Sequence, residues 1–471
     1  MLSSFFLAGL ICSSRLYFYY WDYLLSAVLL LALLLLLRKP GRISILCIVA
    51  VIAGLSFLIK FTGFILAMLL AAIYSGSRLL EWKSTGRLER ILLGVALASG
   101  PIAYLVYNPS VAELFRYMRS SWNLASGYSA AMSLPVEADL LWKAALLASV
   151  LAASIITALW QKWISPTGAA MVAVTAWVAF KHGYVRNDPA HAATFFCFAI
   201  LIFAFLLAQM DYTRVRLAVC GFLFAAFAVF ALQAASEPRS IWTSYWWSPA
   251  NNLTQAFQLV QWNQATRKLE NTSTDAFRTA RVNDYASVIR NSRVLFFPWE
   301  VSYGMRGEFH TVPLFALQGY SAYTHFLDEQ SANHIRDATP PIDFVLLEWE
   351  SIDSRNMLLD VPAIWNALYS IFVPVSSNGD TILLKHRAHP LHVTFREIHA
   401  NACRADEWIE VPRRKTPVAA SIRLKDTFAG QAMSTLYQLK PVNFEVETRA
   451  GIRIESRFTP DVLSVPFPIN Y

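Results

Sequence analysis

The feature that most limits what this chain can become is the run RLYFYYWDYLLSAVLLLALLLLLRKPGR, in which no charged residue falls between Asp22 and Arg38. A surface of that kind is stable only against other apolar side chains or against lipid, and a spanning helix needs roughly 20 such residues, with about 17 as the lower limit. Eight stretches meet or approach that length: 16–37, 43–59, 61–77, 91–107, 141–161, 163–180, 192–210 and 217–236. The sequence therefore predicts an α-helical polytopic membrane bundle of about eight transmembrane helices over residues 1–236.

Composition agrees with that reading and divides the chain. Hydrophobic residues make up 56% and charged residues 15% of 471 positions, and mean hydropathy is +0.40. A soluble chain carries more charge than this. The net charge of +8 would suit nucleic acid in a soluble protein; here it fits loops that face anionic lipid, and no nucleic-acid partner is expected. Four of the five cysteines lie in apolar runs and only Cys403 is in the polar half, so no disulfide framework or CxxC metal site is expected.

Basic residues in short loops set the expected orientation. With segment 43–59 running outward, ten basic residues fall inside, including the RKPGR cluster, and seven fall outside. Asp22, Lys60, the loop 108–140, the KHGYVRNDPAH segment and the C-terminal half then share one outer face. Polar groups in hydrocarbon are costly, so Asp22 and Lys60 point into a shared wet cavity or snorkel to the headgroup zone. Within 108–140, Phe115, Tyr117, Trp122 and Tyr128 suit the headgroup level, either beside a substrate or as an interfacial helix with none.

The stretch WVAFKHGYVRNDPAHAATFF gathers Lys181, His182, Arg186, Asp188 and His191 between two apolar runs. Three chemistries can use it. His182, Asp188 and His191 offer metal ligands without HExxH spacing. Lys181 and Arg186 fit a lipid phosphate better, one as a point charge and the other as a planar fork. Asp188, His182 and His191 are also candidate general bases. The residues alone do not choose among these, and a plain membrane-exit loop stands beside them.

After residue 236 the pattern changes. SRVLFFPW and IDFVLLEW read as buried strands, SAYTHFLDEQSANHIRDA and AIWNALYSIF as helices, and DTILLKHR as another strand, which predicts an extracytoplasmic α/β domain over 237–390 with a largely parallel sheet. No glycine-rich phosphate loop or GxSxG elbow follows a strand. Glu300, Glu348, Glu350, Asp353 and Asp360 lie near strand ends, where open sheets hold ligands, and Gln318, Tyr320 and Tyr323 offer ring-stacking groups or packing. From 391 to 471 the alternation in AASIRLKD, NFEVETR and GIRIESRF predicts a C-terminal antiparallel β module, sandwich-like, with turns at Ala429-Gly430 and Ala450-Gly451. Trp408 and Tyr437 are its candidate sugar platforms, against a core role for each.

The RLYFYYWDYLL entry, the helical pair broken at LIKFTGFIL, the FKHGYVRND loop and the polar C-terminal half resemble the GT-C class of polytopic membrane glycosyltransferases, the protein mannosyltransferase-like enzymes, over roughly residues 10–236. The resemblance implies an inner-membrane protein that transfers a sugar from a polyprenyl-phosphate donor to an outer-face glycan or protein acceptor. It implies catalytic roles for Asp22, Asp188 and His182, donor-phosphate binding by Lys60, Lys181 and Arg186, and a divalent metal as an optional cofactor. The chain begins at what resembles the family's third helix, and Asp22 matches its second acidic position. The acid of the family's first outer loop has no counterpart. The competing expectation is a membrane-anchored glycan-binding or assembly protein without catalysis.

Overall fold

The computed structural model describes residues 21–80, 86–134, 138–186 and 284–469, with short gaps at 40, 302–308, 354, 405, 413 and 426, and isolated positions from 191 to 202. The chain forms two compact units. The first comprises Met1–Ala125, Ser133–Val260 and Thr435–Gln438, and the second Ser126–Met132, Gln261–Ser434 and Leu439–Tyr471.

Helices α1 (Trp21–Arg38), α2 (Ile43–Ile59), α3 (Phe61–Leu80), α4 (Gly86–Tyr107), α5 (Val111–Met132) as far as Ala125, α6 (Ala138–Trp160) and α7 (Pro166–Arg186) supply most of the described part of the first unit. Its core is aliphatic, built on Leu29, Leu33, Ala53, Leu70, Met171 and Val172. Small residues let α2 and α4 approach closely: a Cβ on Gly54 would stand 3.0 Å from Ser99 Oγ, and one on Gly100 would overlap the Phe57 ring. Ser99 Oγ donates across the same contact to the Ala50 carbonyl at 2.7 Å. A Gly100→Val chain is expected to lose about 2 kcal/mol through overpacking, read as an earlier thermal midpoint in detergent; an unchanged midpoint would mean that the contact is slack.

The eight-span bundle is corrected by the fold. Among the described residues one helical segment, Phe61–Arg78, is long and apolar enough to cross a membrane. Leu25–Arg38, Ile43–Ile59, Leu93–Tyr107 and Ala145–Trp160 are apolar but shorter. Ile43–Ile59 stops at 17 residues because the backbone turns extended at Lys60. Stretch 217–236 and most of 192–210 lie outside the described residues.

The outward sides of the first unit's helices remain apolar. Ile91, Val95, Ile102 and Val106 recur at i, i+4, i+11 and i+15, a stripe about 60° wide along α4, and all four are exposed. Trp142, Leu146, Ile156 and Trp160 form an equivalent exposed stripe on α6, as do Ile48, Val51, Leu55 and Ile59 on α2.

The second unit is mixed. Strands β1 (Arg293–Phe297), β2 (His310–Thr311), β3 (Phe344–Glu348), β4 (Phe372–Asn378) and β5 (Thr381–His386) form one sheet in the order β2-β1-β3-β5-β4. Only β2-β1 and β1-β3 are parallel, whereas β5 runs antiparallel to β3 and to β4, so the largely parallel sheet is also corrected. The reason is local: Gly379, at φ +59°, closes a tight turn between β4 and β5, and a hairpin pairs antiparallel. The apolar runs of β1 and β3 are buried on both faces. Leu295, Phe297, Val345 and Leu347 meet α9 (His325–Arg336) and α11 (Pro362–Ile371), while Val294, Phe296, Phe344 and Leu346 meet Tyr285 and Ile289 of the short α8 region, α8 being Ala286–Ile289. The short α10 (Met357–Asp360) precedes α11.

No sandwich follows. The described residues from Arg387 to Val418 hold neither helix nor strand, and three prolines, Pro390, Pro412 and Pro417, interrupt them. Beyond them β6 (Ala419–Ala420) pairs with β9 (Phe467–Pro468), and β7 (Val442–Glu447) pairs with β8 (Arg453–Phe458), as two separate two-stranded sheets. Gly451 at φ +76° supports the turn between β7 and β8. The other expected turn, Ala429-Gly430, lies inside α12 (Phe428–Leu436).

Candidate functional site

In the first unit the sequence-derived site residues are only partly gathered. Asp22 lies in the first turn of α1, and Lys60 occupies the extended corner between α2 and α3, its N–H donating to Ser56 O at 3.0 Å. Lys181 and His182 lie in the last two turns of α7, and Arg186 ends that helix. Asp188 lies outside the described residues.

The His182 ring stacks on that of His191, with centroids 5.3 Å apart and planes 29° from parallel. Gly183 makes this approach possible, since a Cβ there would stand 3.0 Å from the His191 carbonyl oxygen and 2.9 Å from the Phe195 Cβ. Lys181 turns elsewhere: its Nζ donates to Thr435 O at 2.9 Å, while Trp177 Nε1 donates to Leu436 O at 3.0 Å. These carbonyls end α12, where a cation is favoured by the helix dipole. Lys181 therefore has a structural acceptor. Tyr437 packs on Phe180 at 5.7 Å, which gives it a packing role rather than that of a sugar platform. Among the described residues no three His, Cys, Asp or Glu side chains gather as metal ligands.

The second unit holds a cavity of about 240 Å³ lined by Trp349, Glu350, Ser351, Arg355, Asn356, Met357 and Ser456. The fold explains each wall. β3 ends at Glu348, so Trp349 and Glu350 leave the sheet at its carboxyl end, with Trp349 N–H held by Asp380 O at 2.7 Å. Trp349 remains 48% exposed although its ring meets that of Trp365 edge-on, 5.8 Å between centroids. Asn356 caps α10, accepting from Leu358 N–H at 2.9 Å through Oδ1, which leaves its amide nitrogen as a donor. Ser456 comes from β8.

Behind this cavity lies a buried charge network. Arg355 Nη1 stands 3.3 Å from Asp360 Oδ1, and Arg355 Nη2 donates to Ala131 O at 2.6 Å. Arg457 Nη2 donates to the same carbonyl at 2.7 Å. Burial pushes the Asp360 carboxyl up to about 6, against the pull of Arg355 and then Arg457. Desolvation thus exceeds the ion-pair attraction, as expected for a pair taken fully out of water.

Comparison of the chain with family models, curated proteins and solved structures returned no match. Its own geometry must carry the functional reading.

Of the carboxylates flagged in the sequence, Glu350 reaches the cavity and Asp360 is buried behind it; Tyr323 is buried against Tyr128, with centroids 5.9 Å apart. Tyr320 donates to Gln318 Oε1 at 2.8 Å. Trp408 lies beneath the Arg453 guanidinium at 5.5 Å. Sequence reasoning missed Trp349, Ser351, Asn356 and Ser456. The LEWES ending of IDFVLLEWES was the available signal for the first two, whereas Ser456 arrives from a hairpin about a hundred residues later.

Proposed function

We propose that this is a membrane-anchored glycan-binding protein, whose second unit holds sugar in the cavity at the carboxyl end of β3. The observation that carries the reading is the half-exposed Trp349 indole beside Glu350, Asn356 and Ser456. Sugar rings present one apolar C–H face and a rim of hydroxyls. An aromatic plane with a carboxylate, an amide and a hydroxyl at its edge complements both. The exposed apolar stripes of α2, α4 and α6 support anchorage of the first unit in the inner membrane, because lipid covers large apolar side chains at helical spacing at no cost in exposed apolar surface.

Calorimetric titration of the detergent-solubilised chain with neutral and acidic oligosaccharides tests this. At least one glycan is expected to bind, and Trp349→Ala is expected to weaken it about two- to tenfold, by analogy with the ~0.5–1.5 kcal/mol of aromatic contacts. Equal binding by the variant, or none across the panel, would sink the reading. Glu350→Gln is expected to weaken binding less than Trp349→Ala, since it preserves one acceptor.

Sugar transfer from a polyprenyl-phosphate donor is the second reading, favoured by the stacking of His182 on His191 near the end of apolar α7. The purified chain would then move labelled sugar from such a donor to a glycan or protein acceptor, and His182→Ala would abolish turnover. No turnover over a panel of donors would leave binding as the only role.

A further inference from the structure

We propose that the exposed face of α5 lies in the headgroup layer of an anionic bilayer, with Phe115 and Trp122 as its wedge and Arg116 and Arg119 as its phosphate contacts. This goes beyond glycan binding and rests on the reading that the first unit is held in a membrane.

The helix has two faces. Leu114 is buried with Phe57 and Phe64, and Tyr117 and Met118 pack beside it. The Tyr117 hydroxyl donates to the Phe57 carbonyl, and the Tyr104 ring stacks on that of Tyr117 at 5.0 Å. Ser110 Oγ caps the helix start by accepting from Glu113 N–H at 3.2 Å. The inward side of this helix is therefore fixed.

Outward, Val111, Phe115 and Trp122 follow one another at i, i+4 and i+11, within about 40° of the helix circumference. Phe115 is 66% and Trp122 57% exposed. Arg119 and Arg116 flank this stripe on one side, the latter 3.1 Å from Glu113 and still well exposed. Large rings with adjacent arginines match the headgroup region, where the ring is half immersed and guanidinium meets phosphate.

Continuity selects lipid as the occupant. The apolar stripe of α4 ends with Val106 at 82% and Tyr107 at 91% exposure, and only Asn108–Ser110 separate them from Val111. A helix that begins three residues after a lipid-facing stripe ends starts at the depth of the headgroups. The paired arginines make anionic lipid the complementary surface.

Site-directed nitroxides test the proposal in the full chain, its five native cysteines replaced, reconstituted into phosphatidylcholine vesicles with and without phosphatidylglycerol. Labels on Phe115→Cys, Trp122→Cys and Ile102→Cys are read by collision with oxygen and with a water-soluble nickel chelate. Expected are nickel protection at all three positions and deeper immersion of the α5 labels with phosphatidylglycerol. Arg116→Gln with Arg119→Gln should lower the ratio of immersed to exposed label about fivefold for each arginine removed. Labels at 115 and 122 open to nickel while Ile102 stays protected would overturn the proposal and leave the membrane reading intact. Nickel access at all three would overturn both, and immersion indifferent to lipid charge would overturn the arginine contact.

Discussion

Replacing Asp328 by alanine is expected to cost about 3 kcal/mol, more than any surface substitution in this chain. Asp328 belongs to α9 and is fully buried, yet its carboxylate serves α11, accepting from Ala363 N–H at 2.8 Å and Ile364 N–H at 3.1 Å. Pro362 already lacks an N–H at the start of that helix, so these two are the amides left to satisfy. Alanine removes both acceptors and leaves two buried donors. Equilibrium denaturation of the chain, with hydrogen exchange at the α11 amides, checks the result. An unchanged midpoint with protected amides would show that another acceptor takes over.

The same residue gives stability a definite pH dependence. Burial pushes the Asp328 carboxyl up to about 7, opposed by its two backbone hydrogen bonds and by Arg336, with Glu329 adding to the rise. A carboxyl with a folded pKa above its unfolded value holds its proton in the folded chain after the unfolded chain has released it. Its contribution is fully present below about 4, falls as pH rises, and is gone above about 7. Asp360, raised to about 6, adds the same slope over a narrower window. Asp328→Asn removes a titrating group, so its unfolding free energy should decline less between pH 4 and 7. A wild-type chain equally stable across that window would contradict the assignment.

Arg355→Ala is expected to lose about 4 kcal/mol, because it strands the buried Asp360 carboxylate and takes one of two guanidinium donors from the Ala131 carbonyl. Lost packing is not the main cause. Arg355→Met keeps most of the volume and should fall nearly as far, whereas Arg355→Met with Asp360→Leu should recover much of the loss, since an apolar pair needs no charge compensation. A double variant as unstable as the single one would place the cost in the Ala131 contact. Denaturation midpoints at pH 7.5, where Asp360 is ionised, separate these outcomes.

What was legible in the sequence followed the range of each interaction. SRVLFFPW and IDFVLLEW became β1 and β3 because their residues are apolar on both sides of the pleat, a pattern written within five positions. The helix read over SAYTHFLDEQSANHIRDA became α9, which starts at His325, where Thr324 Oγ1 accepts from Leu327 N–H. Sheet direction was less legible, since it depends on the β4-β5 hairpin closing at Gly379 and then docking on β3. Alternation in NFEVETR and GIRIESRF predicted strands but not their partners; they pair with each other, and Arg457 of β8 also bridges to Arg355. The eight apolar stretches were legible from composition, whereas the corner that ends α2 at 17 residues is a backbone turn at Lys60 that composition does not show.

The site shows the same division. Lys181 looked like a phosphate ligand because the Thr435 carbonyl, more than 250 residues away, is invisible from FKHGYVRND. Glu350 was flagged from its place after a strand, but Asn356 and Ser456 meet it only through α10 and β8. Trp349 enters the sequence reading only as the end of IDFVLLEW, and of its polar neighbours Asn356 lies past that run and Ser456 far along the chain from it.

The glycan reading is tested most directly by fluorine NMR of the chain labelled with 5-fluorotryptophan, the Trp349 resonance being assigned from Trp349→Phe. On titration with a bound oligosaccharide, the signals of Trp349 and its neighbour Trp365 should shift together while that of Trp408 stays in place. Saturable binding that leaves the Trp349 signal unmoved, or that moves Trp408 instead, would contradict it.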